Sequence, residues 1–137
     1  MDEELTNQIK PYIDLLHGEG APMLGIDMTE QKAIALAEQK CPYKSWCIVK
    51  DWVWVDLVRS PKIMESFQRA GTEPTMLYAH HVINDSRGRF PPGGWVRSSP
   101  LLTFSDGCLF ETRNTVYVLT GNGKRKEAAL ETVMGIF

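Results

Sequence analysis

The run WCIVKDWVWVDLV, Trp46 to Val58, constrains the fold of this chain more than any other segment. β-Branched and aromatic residues dominate it, which marks a strand. Both alternating faces are apolar except near Lys50 and Asp51. A strand apolar on both faces has to be covered on both faces. The run therefore predicts one central buried strand, kinked or bulged at the charged pair. Two short strands with a turn at Lys50-Asp51 fit less well, because that pair lacks the Gly or Asn of a tight hairpin.

Helices are expected before and after this strand. Leu5, Ile9, Ile13 and Leu16 are helically spaced, but Pro11 predicts a break or a start. His17 to Gly25 reads as a loop. Asp27 to Gln39 predicts a helix capped by Asp27 or Thr29, with Pro42 beyond its end. Ser60-Pro61 opens another, and Gly71 stops it. The second half reads as β-rich. Strands are predicted over Thr75 to Asn84, Gly94 to Phe104, Cys108 to Thr112 and Thr115 to Thr120, with a turn at Ser105-Asp106-Gly107. Gly121-Asn122-Gly123 is expected to close the sheet. A last helix is expected from about Lys124 to Ile136, with Leu130, Val133, Met134 and Phe137 on one face. Short turns favour antiparallel pairing. The fold class is therefore α+β, a mostly antiparallel sheet with N-terminal, central and C-terminal helices packed on it. Trp52 or Trp54, with Val116, Val118 and Leu130, is expected in its core.

The chain of 137 residues fits one domain, 1–137, with a helical part over 1–45 and a β-rich part over 46–137. A hydrophobic fraction of 43% is enough for a packed core and rules out a disordered chain. Cys41, Cys47 and Cys108 are odd in number and have no CxxC spacing, so free, buried thiols without metal are expected. No cofactor motif is present. The acidic start MDEELTNQIK lacks a secretory pattern, and no apolar run reaches the ~20 residues of a membrane helix. A cytoplasmic location with no membrane partner follows as the expectation.

Charge divides the chain. Residues 1–85 carry thirteen acids and eight Lys or Arg, whereas residues 86–126 carry two acids and seven bases. Such a split marks either a basic face for an anionic partner or two halves that attract each other. The candidate contact residues are Arg87, Arg89, Arg97, Lys124, Arg125 and Lys126. Arg87 and Arg89 lie in a long loop, DSRGRFPPGG, suited to a partner. The run GNGKRK, read as a turn opening a helix, could receive an anion there, although it matches neither GxxxxGK[ST] nor GxGxxG. If the two loops meet at one sheet edge, five cations converge. His80 and His81 are neighbours on a strand, and so are expected on opposite faces. Neither Ser98-Ser99 nor Cys108 has the surroundings of a nucleophile.

The segments MLYAHHVINDSRGRF, GGWVRSSPLLTF and LFETRNTVYVLTGNGKRK resemble a family of small proteins from bacteria, chiefly pseudomonads, and their phages. The likeness runs from about Trp46 onward. It implies no activity and no site residues, and it supports a cytosolic accessory protein, prophage-borne in some genomes. The reading that follows is a non-catalytic protein-binding or regulatory module whose partner has an acidic surface. Nucleic acid or a phosphate ligand on the Arg87–Lys126 region is the second reading. A small enzyme using His80 or His81 with Asp85 and Arg97 is the third.

Overall fold

A computed structural model describes residues 3–136 of the chain. In chain order the elements are α1 (Glu3–His17), β1 (Ala21–Ile26), α2 (Glu30–Lys40), β2 (Ser45–Leu57), α3 (Pro61–Ala70) and β3 (Thr75–Asp85). They are followed by β4 (Val96–Arg97), β5 (Thr103–Ser105), β6 (Leu109–Glu111), β7 (Thr115–Leu119), β8 (Gly121–Ala128) and α4 (Leu130–Met134). The class is α+β, and the eight strands form one curled sheet.

β2 is the central strand. β3 runs antiparallel to it along one side, from Cys47↔Asp85 to Asp56↔Thr75. The other side is shared by two strands parallel to it, β7 against Ser45–Val49 and β8 against Val53–Leu57. β6 and then β5 extend the sheet beyond β7, β1 pairs antiparallel with β8, and β4 with β3. The sheet is thus mostly antiparallel but mixed, since β7 and β8 return to β2 in its own direction.

The curl comes from a corner that crosses three strands. Thirteen extended residues span ~43 Å, more than a domain of this size can hold straight when its radius of gyration is about 14 Å. β2 bends at Asp51, whose φ of 51° lies in the left-handed region. Before the bend Cys47 and Val49 enter the concave core, and after it Trp52 and Trp54 do. The alternation therefore slips by one residue at Lys50-Asp51. β3 slips opposite it, because Ala79 and Val82 are in the same core while His80 and His81 between them are not. Between β7 and β8 the corner passes through Gly121, with φ 69°. Asp is among the few side-chain-bearing residues that tolerate this conformation.

The concave core packs Trp54 edge-on against Phe104 and Phe110. Outside the corner, Ile48, Val116 and Val118 meet α2 through Ala33 and Ala37. Beyond it Val53, Val55 and Leu57 meet α1, α3 and α4 through Leu15, Phe67 and Val133. Trp52, Trp54, Val116 and Val118 are buried as expected, whereas Leu130 is only half-buried against the second cluster.

Local signals hold at several ends. Thr29 Oγ1 accepts from Lys32 N at 3.2 Å and Ser60 Oγ from Ile63 N at 3.2 Å, the N-caps of α2 and α3. Gly71 ends α3 with φ 71°. Asp106 and Gly107, with φ 55° and 71°, make the turn between β5 and β6 that two positive-φ residues allow.

Elsewhere the structure corrects the reading. α1 continues through Pro11 without a break, and Leu15 on it is buried. The expected loop after His17 contains β1, so a strand lies within the part read as helical. Gly94 to Phe104 is not one strand: β4 and β5 are separated by 98–102, where Ser98 Oγ accepts from Leu77 N and donates to Ser99 O. The run after Thr120 is β8, not a turn and helix, and α4 keeps only five residues. Phe137 lies outside the described residues.

All three cysteines are free and buried. Burial pushes the Cys47 thiol up to about 12, and also raises Cys41 and Cys108. The thiolate is the reactive form. Folded protein at pH 8 is therefore expected to react slowly with a thiol reagent such as dithionitrobenzoate, and denatured protein to release three equivalents without reductant. Rapid reaction of the folded protein at all three positions would contradict this packing.

Candidate anion-binding cleft

Four of the six candidate cations are held by the protein itself. Arg89 grips Asp85 at both carboxylate oxygens, at 3.1 Å through Nε and 2.9 Å through Nη2, and reaches Thr115 Oγ1 at 3.2 Å. Arg97 Nη1 donates to the carbonyls of Val133, Met134 and Ile136, and so ties down the end of α4. Arg125 pairs with Asp56 at 2.6 Å and lies over the Trp54 ring. Lys126 Nζ donates to the carbonyls of Asp14, Leu15 and Gly18 at 2.9, 2.8 and 2.7 Å, which caps the C-terminal end of α1. Burial lowers the pKa of this lysine, and Lys124 lowers it further. Arg87 and Lys124 are both exposed, and no ion pair joins either to an acid among the described residues.

The two basic segments do not meet. Asp85 faces Cys47 on β2, whereas Lys124 faces Val53. Positions 47 and 53 are up to about 20 Å apart along a strand. With Arg89, Arg125 and Lys126 held by internal partners, five free cations do not converge at one edge. Nor does the run GNGKRK present a helix terminus, because its residues form β8 between β1 and β2. Of the residues grouped with His80, Asp85 is committed to Arg89 and Arg97 to the end of α4.

The corner assembles a different group. An open cleft of about 430 Å³ is lined by Leu16, Trp52, Val53 and Gly123, and by the polar side chains of His17, Asp51, His80, Asn122, Lys124 and Lys126. Four elements supply these residues. His17 ends α1. Asp51 sits at the bend of β2, and the flanking pairs Lys50↔His81 and Trp52↔Ala79 place it across from His80 on β3. Asn122 and Lys124 come from the start of β8. The bend places His80 outside the concave core, free to line the cleft, where strict alternation would have sent one of the two histidines inward.

Within the cleft the His17 and His80 rings are nearly parallel, with centroids 5.7 Å apart and planes at 20°, and Tyr78 meets His80 edge-on at 4.8 Å. Burial pushes His80 below its ordinary pKa, and His17 adds to that, while the Leu16 carbonyl accepting from its ring opposes it. Asn122 Oδ1 accepts from Gly25 N at 2.9 Å, so its amide N–H groups are left as donors. One wall therefore offers Lys124 and an amide donor, the other a carboxylate and an imidazole. Among the described residues no group of three or more His, Cys, Asp or Glu side chains is arranged to hold a metal ion. His17 was not among the residues singled out from the sequence. It is 63 positions from His80, and nothing local to HGEG signals the meeting.

Fold and cleft together define a small α+β domain whose mixed, curled sheet carries a polar cleft at its corner. The chain belongs to the DUF6957 family, a domain of unknown function whose family model matches residues 23–135. Asp51, His80, Asn122 and Lys124 fall inside that span, and His17 just precedes it. No curated protein and no solved structure matches the chain. No helix among the described residues is long and apolar enough to cross a membrane.

Proposed function

We propose that this domain is a non-catalytic binding module of the cytoplasm that receives an anionic group in the corner cleft. The observation that carries the reading is the contrast among the cations. Arg89, Arg97, Arg125 and Lys126 are committed to internal partners, whereas Lys124 projects into a cleft beside two imidazoles and the Asn122 amide. A carboxylate or phosphate entering there replaces water at donors the fold has already positioned. Titration calorimetry with inorganic phosphate at pH 6 and low salt is expected to give saturable heat that falls as salt rises. Lys124→Ala is expected to weaken binding about tenfold, the 1.4 kcal/mol or so of a charge-assisted hydrogen bond, and Arg87→Ala to leave it unchanged. Absence of saturable binding to the unaltered protein would refute the reading.

A second reading, contact with another protein, is favoured by Trp95. Its ring is 41% exposed at the mouth of a shallow groove of about 490 Å³ shared with Phe90, Pro91 and Ile136. Exposed aromatic residues are common anchors of protein interfaces. The resemblance to small bacterial and phage proteins fits an accessory role of this kind, and Trp95→Ala with loss of a captured acidic partner would support it.

A further inference from the structure

The size and lining of the corner cleft narrow its ligand further, on the reading that it binds an anion at all. At about 430 Å³ it holds the volume of roughly fourteen waters at ~30 Å³ each, far more than a bare phosphate fills, and it falls within the usual range of small-molecule sites, about 300–1,000 Å³. Most of the remaining lining is apolar or flat. Leu16, Trp52 and Val53 line it, and the stacked His17 and His80 rings present a planar surface. Their centroids at 5.7 Å leave no room for a third ring between them, so a flat ligand extends the stack on the exposed His17 side. The polar groups are also segregated by sign. Lys124 and the Asn122 amide suit phosphate oxygens, whereas Asp51 only accepts and calls for an N–H donor on the ligand. A carboxylate beside a bare anion would repel it, whereas a ligand that carries an N–H donor as well as a phosphate finds a partner on both walls.

We infer that the cleft takes a mononucleotide, its phosphate at Lys124 and Asn122 and its base stacked on the His17–His80 pair with an amino group donated to Asp51. Stacking on aromatic side chains tolerates any base, and the contact with Asp51 favours bases that carry an exocyclic amine. The volume suits one nucleotide and not a chain of them.

The test is titration calorimetry of the full chain with three probes, adenosine 5′-monophosphate, ribose 5-phosphate and inorganic phosphate. The expected result is that adenosine 5′-monophosphate binds at least tenfold tighter than ribose 5-phosphate. Asp51→Gly, which keeps the positive φ without strain, is expected to reduce that advantage without weakening ribose 5-phosphate binding, with circular dichroism unchanged. Equal affinity for the two sugar phosphates would overturn the nucleotide assignment while leaving the anion site standing. A 5′-phosphorylated oligonucleotide that binds tighter than the mononucleotide would overturn it in favour of a nucleic-acid end. No binding of any of the probes would remove both the anion site and this inference.

Discussion

Gly123→Ala is expected to destabilise the protein by about 3 kcal/mol or more, the upper range for forcing extra volume into a packed site. A Cβ built on Gly123 would lie 2.3 Å from Trp52 Cδ2, 2.4 Å from Trp52 Cε3 and 2.5 Å from the Trp52 carbonyl oxygen. Neither neighbour can yield. The Trp52 ring is 2% exposed and donates through Nε1 to the Gly121 carbonyl at 3.2 Å, and the carbonyl is backbone of the central strand. Either β8 moves off β2 or the indole leaves the core. Gly71→Ala is the control, because a Cβ there meets nothing within 4 Å and only the left-handed φ is penalised, by about 1 kcal/mol. Urea denaturation of the two variants measures the difference. Equal losses at the two glycines would show that β8 does not press on Trp52 as described.

Asp85→Ala is expected to cost about 3 kcal/mol at pH 7, the low end for breaking a buried pair by removing one partner. The Asp85 side chain is 0% exposed and accepts three hydrogen bonds from Arg89, from the backbone N at 2.7 Å and from the guanidinium at 2.9 and 3.1 Å. Arg89 is 31% exposed and can turn toward water when its partner is lost, which limits the cost. The pair also closes the loop after β3 onto β7 through Thr115. Burial alone would raise the Asp85 carboxyl, but the hydrogen bonds and charge of Arg89 outweigh it and hold the pKa below 3.8. A depressed carboxyl adds stability above its unfolded pKa of about 3.9 and loses it as pH falls through the lower folded value. The gap between wild type and Asp85→Ala should therefore be full at pH 7 and shrink steadily below about pH 4. A gap that stays constant down to pH 2 would mean that the effect is packing and not the ion pair.

Much of the architecture was legible where it depends on neighbours in the chain. Trp46 to Val58 could be read as a central strand because its apolar residues occupy both faces, and its kink because two charged residues interrupt that run. The caps at Thr29 and Ser60, the stop at Gly71 and the turn at Asp106-Gly107 follow from side chains and φ preferences that act within four residues. The thiols could be read as free from their number and spacing.

The path of β8 and the site itself were decided only in three dimensions. GNGKRKEA has no hydrophobic period, and its exposed, glycine-broken pattern reads locally as a turn. It is extended because β1 and β2 supply hydrogen bonds on both its sides and because glycine alone fits against Trp52. Composition could show that residues 86–126 are basic, but not which cations the fold would neutralise: Arg89 meets an acid four positions away, Arg125 one that is 69 positions away. The cleft depends on the same kind of long-range meeting. His17, Asp51, His80 and Lys124 come together because the bend in β2 turns the sheet past the end of α1, and no spacing along the chain records that approach.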